Sequence, residues 1–114
     1  MERLWRNQCV LDGLNRKGNQ MKTIWKYELR LVDLQSVPIP CGAEILHVGV
    51  QYGDICVWCL CDPQQTNVSM KFFIYGTGHD IKEPDIRHVG TVFQRVFQRS
   101  FVWHIFMENK QCQK

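Results

Sequence analysis

The chain has 114 residues, of which 45% are hydrophobic and 22% charged, and this composition is typical of a globular protein and excludes disorder throughout. The length accommodates one domain whose core is large enough to fold without disulfides or metal ions. Most of the formal net charge of +3 lies in residues 1–20, and the rest of the chain is close to neutral. We therefore do not expect nucleic-acid binding through a basic face.

The sequence carries neither a membrane-spanning segment nor a secretion signal. No stretch reaches the roughly 18 consecutive apolar residues of a membrane helix, and residues 1–20 lack a continuous apolar core. These features predict a cytoplasmic protein that does not contact a membrane. In a reducing compartment the six cysteines are expected to be free thiols that pack as small hydrophobic residues.

The pattern of residues divides the chain into three parts. Residues 1–20 end in a polar run and are interpreted as an N-terminal extension, and residues 109–114 are interpreted as a polar C-terminal tail. Residues 21–108 form the predicted globular domain. Within it, short runs rich in β-branched and aromatic residues alternate with Gly, Pro and Asp at the spacing typical of all-β domains.

Six strands are predicted, namely Thr23–Leu31, Glu44–Gln51, Ile55–Cys61, Val68–Tyr75, His88 to about Gln94, and Ser100–Met107. The expected fold is all-β, a single small meander that forms a sandwich or a barrel. A β-rich α+β fold is the alternative, with a helix in the N-terminal extension or around residues 92–99. Residues 37–42 are predicted to be a connection, because Pro38 and Pro40 remove two backbone donors.

The segment from Glu44 to Cys61 is predicted to be a β-hairpin. A two-residue turn at Gly53-Asp54 suits type II′ geometry, which has glycine at its first central position. This turn pairs Tyr52 with Ile55, Val50 with Val57, and Val48 with Cys59. The same register places Trp58 opposite Gly49, where a large ring covers a glycine in the sheet.

The residues that carry chemistry show no complete catalytic or metal-binding motif. Cys56, Cys59 and Cys61 have a CxxCxC spacing, but on a strand Cys56 points away from the other two, which disfavours a zinc site. His104 lies in an apolar run and is interpreted as a core or sheet-face histidine. We predict neither an enzyme, nor a metal site, nor a cofactor.

The best candidate site is the loop Tyr75-Gly76-Thr77-Gly78-His79-Asp80. Its two glycines allow backbone amides to approach an anion, and Thr77 and His79 supply side-chain donors. Arg87 is a candidate to bind the same anion, and Trp58 and Trp103 are candidates to stack on a base. The same Gly-x-Gly pattern also occurs in tight turns that bind nothing.

Five segments carry a resemblance to a known family, namely MKTIWKYEL from Met21, VWCLCDP, YGTGHDI, HVGT and FVWHIF. Over residues 21–108 the chain resembles a small family of domains of unknown function that is frequent in the genomes of tailed phages. The residue 1–20 extension and the doubled Val-Phe-Gln-Arg segment at 92–99 depart from that family. The resemblance supports the all-β fold but implies no reaction, so no catalytic residue is transferred.

The phage setting implied by the resemblance leads to the functional hypothesis. We expect a small accessory protein, homo-oligomeric through its sheet edges or its Trp/Phe-rich faces, in the cytoplasm of an infected bacterium. It counters host defence by sequestering a small anionic or nucleotide-type signal without catalysis. The alternatives are a protein-interaction module that inhibits a host protein, and a minor virion component.

Overall fold

The computed structural model describes residues 21–110, and all the regular elements in that range are strands. Their bounds are β1 Thr23–Leu29, β2 Leu34–Pro40, β3 Glu44–Gln51, β4 Asp54–Cys61, β5 Asn67–Gly76, β6 Ile86–Val96 and β7 Arg99–Glu108. Within these residues no helix is long and apolar enough to cross a membrane. The N-terminal extension, where a helix was an alternative, lies outside the described residues.

The strands form two antiparallel sheets, one of three strands in the order β1-β4-β3 and one of four strands in the order β2-β5-β7-β6. The predicted all-β class is confirmed, with seven strands rather than six. The connectivity is not a simple meander, because only β3–β4 and β6–β7 are neighbours in both sequence and sheet. Residues 92–99 contain the end of β6 and the turn into β7 rather than a helix.

The core fills the space between the inner faces of the two sheets. Each strand contributes the side chains of one face to the core. In β1, for example, Tyr27 and Leu29 are buried whereas Glu28 between them is exposed. Phe72 of β5 and Ile105 of β7 are 0% exposed and lie at its centre. At one side β3 packs closely on β6, where a Cβ added to Gly90 would lie 2.8 Å from the Cβ of Val48.

Residues 37–40 form a strand, so the prediction that they belong to a connection is wrong. Ile39 pairs with Val68 of β5, and Val37 and Ile39 are buried. The two prolines are tolerated because β2 is an edge strand, in which alternate N–H groups point away from the sheet and need no partner.

The predicted turn of the β3–β4 hairpin is also wrong. Val50 pairs with Ile55 and Val48 with Val57, so the two turn residues are Tyr52 and Gly53. Both have positive φ, 52° and 82°, as a type I′ turn requires, and this turn matches the right-handed twist of the strands. The error shifts the register by two residues, which preserves the faces of residues 47–51 but places His47, not Gly49, opposite Trp58.

Candidate functional site

Four polar side chains form a connected series on the outer face of the four-stranded sheet. Thr77 Oγ1 lies 2.8 Å from His104 Nε2, and Thr91 Oγ1 lies 3.0 Å from His104 Nδ1. The hydroxyl of Thr91 is also 2.9 Å from His88 Nε2. We call this series, Thr77–His104–Thr91–His88, the histidine–threonine chain.

Strand register and one bulge bring these residues together. Ile105 and Met107 of β7 point into the core, so His104 and Phe106 point outward. Both Tyr75 of β5 and Thr91 of β6 pair with His104.

His88 would lie on the opposite face from Thr91 in a regular strand, because the two residues are three positions apart. The register of β6 shifts between His88 and Gly90, where Val89 is the extra residue of a β-bulge. This bulge returns His88 to the outer face.

Aromatic rings border the histidine–threonine chain on the same face. The Phe106 ring makes edge-on contacts with Tyr75 and His88, at centroid distances of 5.6 Å and 5.3 Å. Tyr75 also stacks on Phe73 at 6.5 Å. Tyr75 and Phe106 are half-buried and His88 is exposed, so a flat ligand has an apolar surface beside a polar one.

The electrostatic environment of this face is acidic at the Tyr75 hydroxyl. Desolvation raises the pKa of Tyr75, and the carboxylates of Glu83 and Asp33 raise it further. The tyrosine hydroxyl therefore stays neutral, and the two acids oppose an anion beside it. An anion is better placed against the imidazoles of His88 and His104 than at the Tyr75 hydroxyl.

The hydrogen bonds constrain what each imidazole can do. Both ring nitrogens of His104 contact threonine hydroxyls, so in its neutral form one nitrogen donates and the other accepts. His88 uses Nε2 on Thr91, and its Nδ1 has no hydrogen-bond partner within residues 21–110. His104 therefore holds the series in place, whereas His88 retains one nitrogen for a ligand.

The loop predicted as the site is a tight turn closed by its own hydrogen bonds. The Gly76 amide donates to Nδ1 of His79 at 3.0 Å, and the His79 amide donates to the Gly76 carbonyl at 3.1 Å. Gly78 has a φ of +93°, which favours glycine. Two of the loop amides are thus already paired, and His79 presents Nε2–H as a donor because its Nδ1 accepts.

The structure brings some of the predicted site residues together and separates others. Tyr75 and Thr77 lie on the outer face, whereas His79 and Trp103 pack around the inner side of Gly76, at 3.1 Å and 3.4 Å from an ideal Cβ there. The other two loop residues, Gly78 and Asp80, are exposed.

Two of the predicted residues lie elsewhere in the fold. Trp58 is on the outer face of the three-stranded sheet, where its ring contacts His47 at 5.6 Å. Arg87 lines a different cavity, of about 330 Å³, together with Met107 and Lys110.

Sequence reasoning did not assign His88, Thr91, His104 and Phe106 to the site. The alternation in Phe101–Phe106 is the signal for His104 and Phe106, since it puts both on one face of β7. No comparable signal exists for His88, whose orientation depends on the bulge.

The three cysteines of β4 are buried on two faces of their sheet. Cys59 and Cys61 share the inner face and Cys56 lies on the outer one, as the alternation predicts. Desolvation raises the pKa of all three, that of Cys59 to about 12. Among residues 21–110 no three His, Cys, Asp or Glu side chains converge as metal ligands.

Cys41 differs from these three cysteines because it is disulfide-bonded. The prediction of free thiols therefore holds for Cys56, Cys59 and Cys61 but is wrong for Cys41.

These observations define a seven-stranded β-sandwich domain with an ordered polar and aromatic surface on one sheet. The chain belongs to the family described as Domain of unknown function (DUF7352), whose model matches residues 21–114. The predicted membership in a family of domains of unknown function is thus confirmed. No curated protein and no solved structure matches the chain.

Proposed function

We propose that this protein binds a small nucleotide-type anion on the outer face of its four-stranded sheet and sequesters it without catalysis. In the phage setting that the sequence resemblance implies, the ligand is a signal of host defence in the cytoplasm of an infected bacterium. The observation that carries this proposal is the histidine–threonine chain, with its three contacts of 2.8 to 3.0 Å on an accessible sheet face.

An ordered polar network at this position is not required by the core. Fixing exposed side chains costs conformational entropy, and hydrogen bonds near water return little net stability. A surface that is already ordered, however, loses less entropy when it binds a ligand. The order of these hydroxyls and imidazoles therefore supports a role of the network in ligand binding rather than in folding.

The arrangement of charges and rings orients the proposed ligand. The phosphate lies against the histidine–threonine chain, which supplies hydroxyl and imidazole groups, rather than at the Tyr75 hydroxyl, whose environment is acidic. The base lies against Phe106 and the Tyr75 ring, where aromatic contact is insensitive to the identity of the base.

The hydrogen bonds of His104 argue against a role of this histidine as a general acid or base. A general acid or base needs a ring nitrogen within reach of the reacting group. Both nitrogens of His104 are occupied by threonine hydroxyls of the protein itself.

Nuclear magnetic resonance of the imidazole protons tests the site directly, with AMP, a cyclic dinucleotide and inorganic phosphate as probes. The resonances of His88 and His104 are expected to shift on titration. His47, on the outer face of the other sheet, is an internal control whose resonance stays unchanged.

Two variants and one matched control measure the contribution of the side chains. Thr77→Val removes the hydroxyl and His88→Gln removes the imidazole, both at exposed positions, and each is expected to weaken binding about tenfold, the equivalent of roughly 1.4 kcal/mol. His47→Gln makes the same chemical change on the other sheet and should bind as the wild type does.

Mass spectrometry of compounds released by heating protein from cells with active nucleotide signalling identifies the natural ligand. A nucleotide recovered from the wild type but not from His88→Gln supports the proposal. Protein that is recovered empty, together with unshifted His88 and His104 resonances for all three probes, refutes it.

A further inference from the structure

The hairpin between β6 and β7 carries an exposed apolar tip. Phe93, Val96 and Phe97 have exposed fractions of 71%, 40% and 93%, and Arg95 and Arg99 lie among them. Exposed aromatic residues beside arginines are typical of residues that anchor protein–protein contacts. The tip is formed by the doubled Val-Phe-Gln-Arg segment. This segment contributes no residue to the histidine–threonine chain, so the proposed ligand does not explain it.

The backbone of the tip is also unfavourable for the residue it contains. Val96 pairs with Arg99, so Phe97 and Gln98 form a two-residue turn. Phe97 has a φ of +59°, a region that favours glycine and costs a bulky residue about 1 kcal/mol or more. A large apolar ring thus occupies a strained and fully accessible position, where a glycine would stabilise the isolated chain.

A cavity complementary to this tip lies at the same end of the sandwich. Its volume is about 540 Å³, more than three times the roughly 150 Å³ cavity that accepts benzene in an engineered protein core. Its apolar lining includes Leu29, Leu31 and Val37.

The charges of the cavity complement those of the tip. The carboxylates of Glu28 and Asp54 and the guanidinium of Arg30 belong to the lining, so acidic side chains outnumber basic ones there. The tip carries two arginines and no acidic residue between Phe93 and Ser100.

Gln94 connects the two features. It lines the cavity and immediately precedes Arg95, so the cavity lies beside the start of the exposed part of the hairpin. When a tip and its complementary cavity are adjacent on one chain, a two-fold axis lets two copies exchange tips reciprocally and closes the assembly as a dimer.

We propose that two copies of this chain form a dimer in which Phe97 of each copy inserts into the 540 Å³ cavity of the other, with Arg95 and Arg99 facing Glu28 and Asp54. The occupant of the cavity is thus a second copy of the same hairpin. This inference does not depend on the ligand proposed for the histidine–threonine chain.

Sedimentation of the full chain tests the dimer through its mass. The wild type is expected to approach twice the 13.5 kDa of one chain as concentration rises. Phe97→Gly removes the anchoring ring and suits the positive φ, so this variant should remain monomeric and be at least as stable as the wild type. Because stability does not fall, loss of the dimer in this variant is not a folding defect.

A charge exchange tests the specific pairing of surfaces. One variant carries Glu28→Lys and Asp54→Lys, and the other carries Arg95→Glu and Arg99→Glu; all four positions are exposed. Each variant alone places like charges across both contacts and should be monomeric. In an equimolar mixture both contacts again join opposite charges, so the mixture should sediment as a heterodimer.

A monomeric wild type at all concentrations overturns the proposal. A dimeric Phe97→Gly variant, or a mixture of the two charge variants that stays monomeric, also overturns it, because either result places the contact elsewhere.

Discussion

Because β6 lies very close to β3 at Gly90, we expect even the smallest substitution there, Gly90→Ala, to lower the free energy of unfolding substantially. In Gly90→Ala the new Cβ would lie 2.8 Å from Val48 Cβ and 3.0 Å from Val48 Cγ2. Favourable carbon–carbon separations are about 3.5 to 4.0 Å, so the two strands must move apart by roughly 1 Å. The closest atom is a Cβ, which no rotation of the Val48 side chain can move away.

Overpacking of this kind costs about 1 to 3 kcal/mol. For a domain of this size, a loss of about 2 kcal/mol in the free energy of unfolding lowers the thermal midpoint by roughly 10 °C. Urea unfolding followed by tryptophan fluorescence measures the loss. Val48→Ala removes one of the two close contacts, so Gly90→Ala should cost about 1 kcal/mol less in that background than alone.

Gly49→Ala is the matched control, since Gly49 is also a strand glycine. The nearest atom to its added Cβ is Nε2 of His47 at 3.0 Å, and this is the far end of an exposed side chain that is able to turn away. Gly49→Ala should therefore be neutral or slightly stabilising. A Gly90→Ala variant as stable as Gly49→Ala would refute the close packing of β3 on β6.

Three further predictions concern the pH dependence of stability, one buried amide and one turn. Burial raises the pKa of Cys59 to about 12 from an ordinary value of 9.0, so above pH 9 the unfolded chain loses a proton that the folded chain keeps. The free energy of unfolding should therefore fall by up to about 1.4 kcal/mol for each pH unit above pH 9. Because Cys59→Ala lacks this thiol, its free energy of unfolding should fall less steeply with pH. Equal slopes in the two proteins would contradict the prediction. Gln35→Leu removes hydrogen bonds of 2.7 and 2.9 Å to the carbonyl and amide of Arg30 and should lower the free energy of unfolding, measured with urea, by about 2 kcal/mol. An unchanged urea midpoint would show that water replaces these hydrogen bonds. Tyr52→Asn places Asn-Gly in the type I′ turn, and because Tyr52 is 92% exposed, the thermal midpoint should rise rather than fall.

Local alternation predicted most of the fold because burial on one face imposes a period of two on each strand. The buried faces of β1, β4 and β7 follow from their sequences on this basis. The register of β3–β4 did not follow, because Gly53-Asp54 and Tyr52-Gly53 both fit a two-residue turn and differ by two residues, which leaves the faces unchanged. Only contacts across the sheet distinguish the two registers.

The strand β2 shows a different limit of sequence reasoning. Its prolines exclude a central strand, and this part of the expectation agrees with the structure. Whether such a segment is an edge strand or a connection depends on a partner 29 residues later in the chain, Val68 for Ile39, and that partner is set by the tertiary fold.

The candidate site was predicted only in part because its residues come from three strands. Tyr75 and Thr77 lie in the segment that the glycine pattern identifies, and the loop they flank is closed on itself. The partner of Thr77 is His104 on β7, 27 residues later, and His104 in turn contacts Thr91 on β6. The order β5-β7-β6 creates the site, and strand order is not encoded in a local pattern.

The bulge at Val89 joins the core to the proposed site. After the extra residue, Gly90 faces inward against Val48, while before it His88 faces outward toward Thr91. Deletion of Val89 would restore a regular strand in which His88 and Thr91, then two positions apart, still share the outer face.

We therefore expect the Val89 deletion to retain the His88–Thr91 contact and ligand binding, since His88 stays opposite Phe106 on the outer face. Val89→Ala retains the extra backbone residue and serves as the control. It should keep the His88–Thr91 contact and the response of His88 to ligand. If the Val89 deletion folded but lost binding of the nucleotide probes while Val89→Ala kept it, the outward orientation of His88 would not be sufficient for the site.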